Sequence, residues 1–314
     1  MTDKSKKVER TVYSPEELAF FKNGNRIKFD SMAEMITVRA REIPDKIHVL
    51  YYDEVITYAQ TNERSNRVAN YLKEVGVKKG DVVSIMVLNS PEVYYTMFGA
   101  QKLGAIAGAI NYMLKGPEIA HMLDDSKPKV VFVGSEFMQD FATGYQVATH
   151  KPMVVEVVTG VDHGQEIAER HLQDILMKYP ADEVLVPQNP DDPFLLLYSS
   201  GTTGKPKGIL LTNRGQMANC QDMISMGGFD SEDVMMIVLP MFHVNPLCVW
   251  TYTMTYTGGT LCIRKAFSPQ EFWPSLLKYG VTVVQGVPTM YNYIWRVSNR
   301  PYTLIRLSPY IIHI

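Results

Sequence analysis

An α/β fold with two layered, parallel-rich β-sheets flanked by helices is predicted by three features of this 314-residue sequence. Between Val82 and Val133 short apolar strands alternate with helical segments, the pattern of a mainly parallel sheet covered on both faces. Phe194 to Leu197 is a continuous apolar run bounded by turn formers, which suits a buried parallel strand emptying into a loop. Pro187 to Pro193, reading PQNPDDP, is a proline-rich loop expected to mark the passage into a second sheet.

Taken in order, Ser31 to Arg41 has apolar residues at helical spacing (Met32, Met35, Ile36, Val38), and Pro44 closes the helix. Val49–Tyr52 and Val55–Tyr58 flank a turn at Asp53 and Glu54 and read as a hairpin. A helix follows from about Asn62 to Val75, stopped by Gly76. Asp81 leads into a strand over Val82–Leu88. Asn89-Ser90-Pro91 is a capping sequence for a helix running to Leu103 and ended by Gly104. Ala105–Ile110 is then a strand, Gly116–Leu123 a helix and Lys129–Val133 a strand. His121, Asp124 and Asp125, on that helix and its end, read as a solvated face. Phe137 to Val184 is the least regular stretch, with one firm strand at Val154–Val158 and a helix at Ile167–Met177. Further on, Thr212 can cap a helix to about Met226, and Val234–Leu239 is a strand that stops at Pro240. Thr260–Ile263 and Val281–Gln285 are two more strands, with a helix at Pro269–Tyr279 between them. No internal repeat is present.

The stretch that carries chemistry is Tyr198 to Gly208, YSSGTTGKPKG. Gly201, Gly204 and Gly208 allow positive φ and close approach of backbone N–H groups to a ligand. Ser199, Ser200, Thr202 and Thr203 add four hydroxyl donors, and Lys205 and Lys207 add positive charge with no carboxylate beside them. The ligand implied is a polyphosphate. On composition alone a glycine- and threonine-rich loop can also be a plain surface turn. GxxxxGK followed by Ser or Thr does not occur, and neither does a strand-coupled GxGxxG.

Net charge is −2, which gives no reason to expect nucleic acid or an anionic membrane as partner. Cys220, Cys248 and Cys262 are odd in number and widely spaced, so neither a disulfide framework nor a zinc site is suggested, and a reducing cytoplasm is the simplest setting. His243 and Cys248 lack a third ligand at metal spacing, so no metal site is read. The N-terminal MTDKSKKVER lacks an apolar core of the secretory type, and the apolar stretch Gly104–Leu114 is far short of the ~20 residues a spanning helix needs.

YSSGTTGKPKG resembles the phosphate-binding loop of the adenylate-forming superfamily, which includes acyl-CoA synthetases, amino-acid-adenylating domains and luciferases. Residues 56–81, ITYAQTNERSNRVANYLKEVGVKKGD, are similar to that family's N-terminal helix and the turn after it. Asn89–Leu123, LPMFHV at Leu239–Val244 and GVPTM at Gly286–Met290 resemble three further blocks, in the family's order, over about Ser31 to Arg296. The resemblance implies a large N-terminal domain and an ATP-dependent acid:CoA ligase that uses Mg²⁺ and coenzyme A. A carboxylate would attack the α-phosphate of ATP to give an acyl-adenylate and pyrophosphate, and a thiol would then displace AMP. It implies nucleotide contacts at Ser199, Ser200, Gly201, Thr202, Thr203, Gly204, Lys205 and Lys207. Lys207 can instead face solvent. It also implies a catalytic or gating role for His243 between the acyl pocket and the α-phosphate; the plainer reading is a satisfied histidine in a strand-end loop. LPMFH leans towards fatty or aromatic acids.

The domain organisation expected is a variable segment (1–30), a first α/β subdomain (31–193), the phosphate loop with a partial second α/β subdomain (194–298) and a tail outside the family (299–314). The family's adenine-, ribose- and Mg²⁺-holding motifs and its hinged C-terminal domain are not found, and no Asp or Glu follows Glu271. The chain therefore reads as a truncated or frame-shifted ligase, with a half-finished second sheet whose apolar edges lie open. The alternative is a non-catalytic remnant with weak ATP binding or a scaffold role. A P-loop hydrolase is a third possibility, disfavoured by the missing Walker spacing.

Overall fold

The computed structural model describes residues 28–158, 168, 170–199 and 206–297. The first helix, α1 (Met32–Glu42), starts at Ser31, whose hydroxyl accepts from Glu34 N–H in the N-cap arrangement. β1 (Ile47–Tyr51) and β2 (Glu54–Thr57) form the expected antiparallel hairpin. α2 (Tyr58–Glu74) begins four residues earlier than its apolar spacing indicates. Thr57 and Gln60 form a reciprocal capping box that fixes the start there.

β3 (Val82–Met86), α3 (Pro91–Lys102), β4 (Ile106–Ala109), α4 (Gly116–Ser126), β5 (Val130–Gly134), α5 (Met138–Val147) and β6 (Met153–Val157) follow as parallel strand–helix units. β7 (Arg170–His171) and α6 (Leu172–Lys178) lead to β8 (Pro193–Ser199) and β9 (Lys207–Thr212). The helix expected over Ile167–Met177 starts at Leu172, and 167 and 169 lie outside the described residues. α7 (Asn213–Gly227) starts at Thr212, which accepts from Gly215 N–H, and ends where Gly228 turns left-handed at φ +65°. β10 (Val234–Ile237), a π-helical turn over Asn245–Thr251, α8 (Tyr252–Thr257), β11 (Thr260–Ile263), α9 (Pro269–Lys278), β12 (Val283–Val284) and α10 (Pro288–Val297) complete the order.

Two sheets result, of seven strands in the order β7-β6-β5-β3-β4-β8-β9 and of five in the order β12-β10-β11-β1-β2. All neighbours are parallel except the terminal pairs β8–β9 and β1–β2. The proline-rich loop Pro187–Pro193 does not pass into a second sheet. β8 pairs with β4 at Ala107–Leu195 and Gly108–Leu196, so it extends the first sheet. The second sheet is built from both sides in sequence, by β1–β2 and β10–β12. A boundary at 193/194 therefore does not separate the sheets. Which edge an apolar strand joins is decided by tertiary pairing, and composition does not carry it.

The main core lies between the sheets. It joins Val49 and Leu261 of one sheet to Val83, Ala107 and Leu195 of the other through Met35, Leu72, Phe98, Cys220 and Tyr252. α4 and α5 cover the outer face of the seven-stranded sheet, and α9 and α10 that of the five-stranded one. α2 and α3 approach closely at Gly99, where a Cβ would stand 2.6 Å from Val68 Cγ1. No described helix is long and apolar enough to cross a membrane.

Candidate functional site

The carboxyl ends of parallel strands are where α/β sheets bind ligands, and here the two sheets present those ends to one another. Asn89, just after β3, is fully buried. Its Nδ2 donates to Leu239 O (2.8 Å) and Arg264 O (3.2 Å), and its Oδ1 accepts from Met241 N–H (2.8 Å). Leu239 follows β10 and Arg264 follows β11, so one side chain joins the strand ends of both sheets. The cap expected of Asn89-Ser90-Pro91 is thus corrected. Ser90 stands at the N-cap of α3 without a side-chain capping bond, and Asn89 points into the sheet junction.

Beside this junction lies a small apolar recess of about 20 Å³. Ile85 and Val87 of the β3 end, Ala107 and Ala109 of β4, Leu195 of β8 and Met241, Phe242 and Leu247 form most of its wall. Phe242 also packs edge-on against Tyr112, with ring centroids 4.9 Å apart. A more polar cleft of about 410 Å³ opens at the ends of β1, β6 and β11, lined by Tyr51, Tyr52, Ser90, Glu92, Val158 and Lys265. Burial raises the carboxyl pKa of Glu92.

His243 follows the recess wall directly. Its ring is exposed and lies 4.3 Å from that of Phe242, centroid to centroid. Partial desolvation lowers its pKa below the ordinary imidazole value, so the ring is neutral at pH 7. Its backbone N–H donates to Pro240 O (3.1 Å), and its carbonyl accepts from Leu247 N–H (3.3 Å) where the π-helical turn begins. Gln285, which leads into GVPTM, donates to Asn245 Oδ1. The two blocks LPMFHV and GVPTM therefore meet.

Of the residues expected to contact phosphate, Ser199 and Lys207 are described. They are paired in register at the loop end of the β8–β9 hairpin, and both are exposed. Ser200, Gly201, Thr202, Thr203, Gly204 and Lys205 lie outside the described residues. Gly208 is a strand residue and is not among the glycines with positive φ. The expectation that it supplies positive φ is corrected: a Cβ there would sit 3.1 Å from Leu196 Cδ1 and 3.5 Å from the Tyr198 ring, so Gly208 leaves room across the hairpin. β8 thus gives Leu195 to the recess and Ser199 to the hairpin mouth, while the other recess wall continues into His243.

Of the solvated face read for His121, Asp124 and Asp125, Asp125 is exposed while His121 and Asp124 are half-buried, and both aspartates have partners. Asp124 Oδ1 accepts from His150 N–H (2.7 Å), and Asp125 Oδ2 accepts from the Tyr198 hydroxyl (2.6 Å). The three cysteines are free and buried. Burial pushes their thiol pKa values up to about 11 for Cys220 and Cys262 and about 12 for Cys248, so they are protonated and unreactive at neutral pH. Sequence reasoning missed Asn89 as a junction and the apolar residues of the recess, which come from five separate parts of the chain. The only signal for Asn89 was a polar residue directly after an apolar strand.

The described residues thus form a layered α/β protein in which one β-hairpin lies beside an apolar recess at the strand ends. The sequence model of the family described as AMP-binding enzyme matches residues 36–308, and the chain belongs to that family. The match runs past Arg296 into the segment expected to lie outside the family. Among relatives, the chain is 31% identical over 274 residues to a feruloyl-CoA synthase of Amycolatopsis sp., covering 83% of this chain and 50% of that protein. It is 33% identical over 245 residues to the long-chain-fatty-acid–CoA ligase FadD13 of Mycobacterium tuberculosis, covering 78% and 47% respectively. The inhibitor-bound N-terminal domain of FACL13 from Mycobacterium tuberculosis superposes with a TM-score of 0.76 at 29% identity, covering 86% of this chain and 66% of that one. The chain spans about half the length of the curated relatives it matches.

Proposed function

We propose that this chain carries the phosphate-binding hairpin and the acid-binding recess of an ATP-dependent acid:CoA ligase. The observation that carries the reading is the β8–β9 hairpin, whose mouth pairs Ser199 with Lys207 around the SGTTGKP segment while β8 also forms a wall of the apolar recess. The reaction has a charge problem, because an anionic carboxylate must approach a polyanion. The backbone N–H groups, the hydroxyls of Ser199, Ser200, Thr202 and Thr203, and the ammonium groups of Lys205 and Lys207 hold the β- and γ-phosphates. The carboxylate oxygen then bonds to the α-phosphorus while the bond from that phosphorus to the bridging oxygen breaks, and the electron pair leaves with pyrophosphate. In the second step the thiol of coenzyme A adds to the acyl carbon and loses its proton, and AMP departs.

The donors at this hairpin suit phosphate oxygens rather than a cation. No group of three or more His, Cys, Asp or Glu among the described residues is placed to hold a metal ion. Mg²⁺ would arrive with the nucleotide and supply charge neutralisation on the phosphates. Neutral His243, at the rim of the recess, would hydrogen-bond the bound carboxylate or gate its approach. The acid is carboxylic with an apolar body, fatty or aromatic. Three unpaired buried thiols fit a reducing compartment, and we place the protein in the cytoplasm. A non-catalytic remnant gains no support from the comparisons.

Lys205→Ala tests the reading. Loss of a charge-assisted contact is expected to weaken MgATP binding by about 1.5–3 kcal/mol, more than tenfold in Kd by equilibrium titration. An unchanged Kd removes Lys205 from the site.

A further inference from the structure

The β8–β9 hairpin reaches beyond its sheet. β8 pairs with β4 only at Leu195 and Leu196, whereas its pairing with β9 continues through Leu197, Tyr198 and Ser199. On the outer side Lys207, Gly208, Ile209 and Leu210 are exposed. A two-stranded ribbon is marginally stable by itself in water, so the projecting end needs a tether to hold one orientation. Tyr198 provides it. Its hydroxyl donates to Asp125 Oδ2 at 2.6 Å, the length of a hydrogen bond strengthened by an ionised acceptor.

Asp125 is well placed as an anchor. It lies in the last turn of α4, whose Ile119 and Leu123 are fully buried against the outer face of the seven-stranded sheet. The next residue, Ser126, bonds back to Met122 O (2.6 Å), and Asp124 accepts from His150 N–H, so the helix end is fixed on both sides of Asp125. On the hairpin side, the space left at Gly208 and the half-buried Tyr198 ring fit together, and Leu196 closes the contact.

We propose that Asp125 is a positioning residue: its hydrogen bond to Tyr198 fixes the projecting end of the hairpin and so the placement of Ser199 and Lys207, which the nucleotide reading puts at the phosphates. The inference rests on the nucleotide reading above and adds a residue 73 positions away in sequence that touches no phosphate. Removing either partner frees the hairpin end. Asp125→Asn keeps an acceptor oxygen without its charge and should restore part of the effect.

The test uses the full chain with Asp125→Ala, Asp125→Asn, Tyr198→Phe and the double variant Tyr198→Phe/Asp125→Ala. Amide hydrogen exchange of β8 and β9, the thermal midpoint and MgATP affinity are measured for each. Asp125→Ala and Tyr198→Phe should each speed exchange in β9 and raise the Kd for ATP by roughly five- to tenfold, the scale of one lost hydrogen bond. Exchange in β3 and β5 should stay unchanged, Asp125→Asn should fall in between, and the double variant should be no worse than either single one. Unchanged β8–β9 exchange in Asp125→Ala would overturn the proposal. Faster exchange with an unaltered Kd would overturn it too, because the bond would then steady the hairpin without placing Ser199 and Lys207 for the nucleotide. If the unsubstituted chain binds no ATP, the nucleotide reading fails, and the exchange rates still decide whether Asp125 fixes the hairpin.

Discussion

Asn89→Ala is expected to lower the unfolding free energy by roughly 3–4 kcal/mol, among the largest effects of any single substitution in the chain. The side chain is fully buried and satisfies three backbone groups at once: Leu239 O, Arg264 O and Met241 N–H. Alanine would leave all three in a junction closed to water, at about 1–3 kcal/mol for each unsatisfied group, partly recovered by relaxation. Asn89→Asp is a sharper variant. It keeps an acceptor for Met241 N–H but turns a second oxygen towards two carbonyls, so it should be at least as damaging. Because Met241 and Phe242 wall the recess and His243 follows them, both variants should also weaken ligand binding. Urea denaturation measures the first effect, and a loss under about 1 kcal/mol for Asn89→Ala would mean that the junction is not held by this residue.

The second large effect is acid lability through His48. The ring is fully buried on β1, with Nδ1 3.0 Å from Thr61 Oγ1 of α2 and Nε2 3.1 Å from Thr255 Oγ1 of α8, and it packs on Tyr58. The two hydroxyls also reach the Thr57 and Thr251 carbonyls. A neutral imidazole has one N–H and one bare nitrogen, so one hydroxyl accepts from the ring and keeps its bond to its carbonyl, while the other turns its single hydrogen to the bare nitrogen instead of its carbonyl. Burial lowers the pKa of this imidazole from 6.5 to about 3. The folded state therefore excludes a proton that the unfolded chain takes up below pH 6.5. Stability is fully present above pH 6.5 and falls as pH drops towards 3, by at most roughly 5 kcal/mol in all. Denaturation at pH 7 and pH 4 should show a loss of about 3 kcal/mol from this group. His48→Gln, which can donate to one threonine and accept from the other, should show a shallower pH slope by about one proton. Equal slopes would assign the acid sensitivity to other groups.

Local chemistry was legible where one residue decides an element. Ser31 and Thr212 cap their helices, Gly76 and Gly104 take positive φ at +82° and +69°, and β11 falls on the strand expected at Thr260–Ile263. The alternation between Val82 and Val133 was legible because each strand there is buried on both faces and each helix stops at a turn former. β9 was not, because Lys207 and Gly208 look like loop residues until Ser199 and Tyr198 stand opposite them. α5 was missed in the least regular stretch, and the π-helical turn has no periodicity to mark it. In the site, the phosphate-loop residues and His243 stood out as residue types. Asn89 and Asp125 did not, since a polar residue near a strand or helix end has many uses and its partner is far away in sequence. The apolar recess is made of ordinary core residues, which only the meeting of five parts of the chain turns into a wall.

Exchange of labelled pyrophosphate into ATP, with and without a panel of fatty and aromatic acids, tests the central claim most directly. Exchange that appears only when a suitable acid is added is the predicted result, because reversal of the first step needs both the hairpin's hold on the departing phosphates and an acid in the recess. MgATP binding without acid-dependent exchange, or release of inorganic phosphate with no AMP, would contradict it.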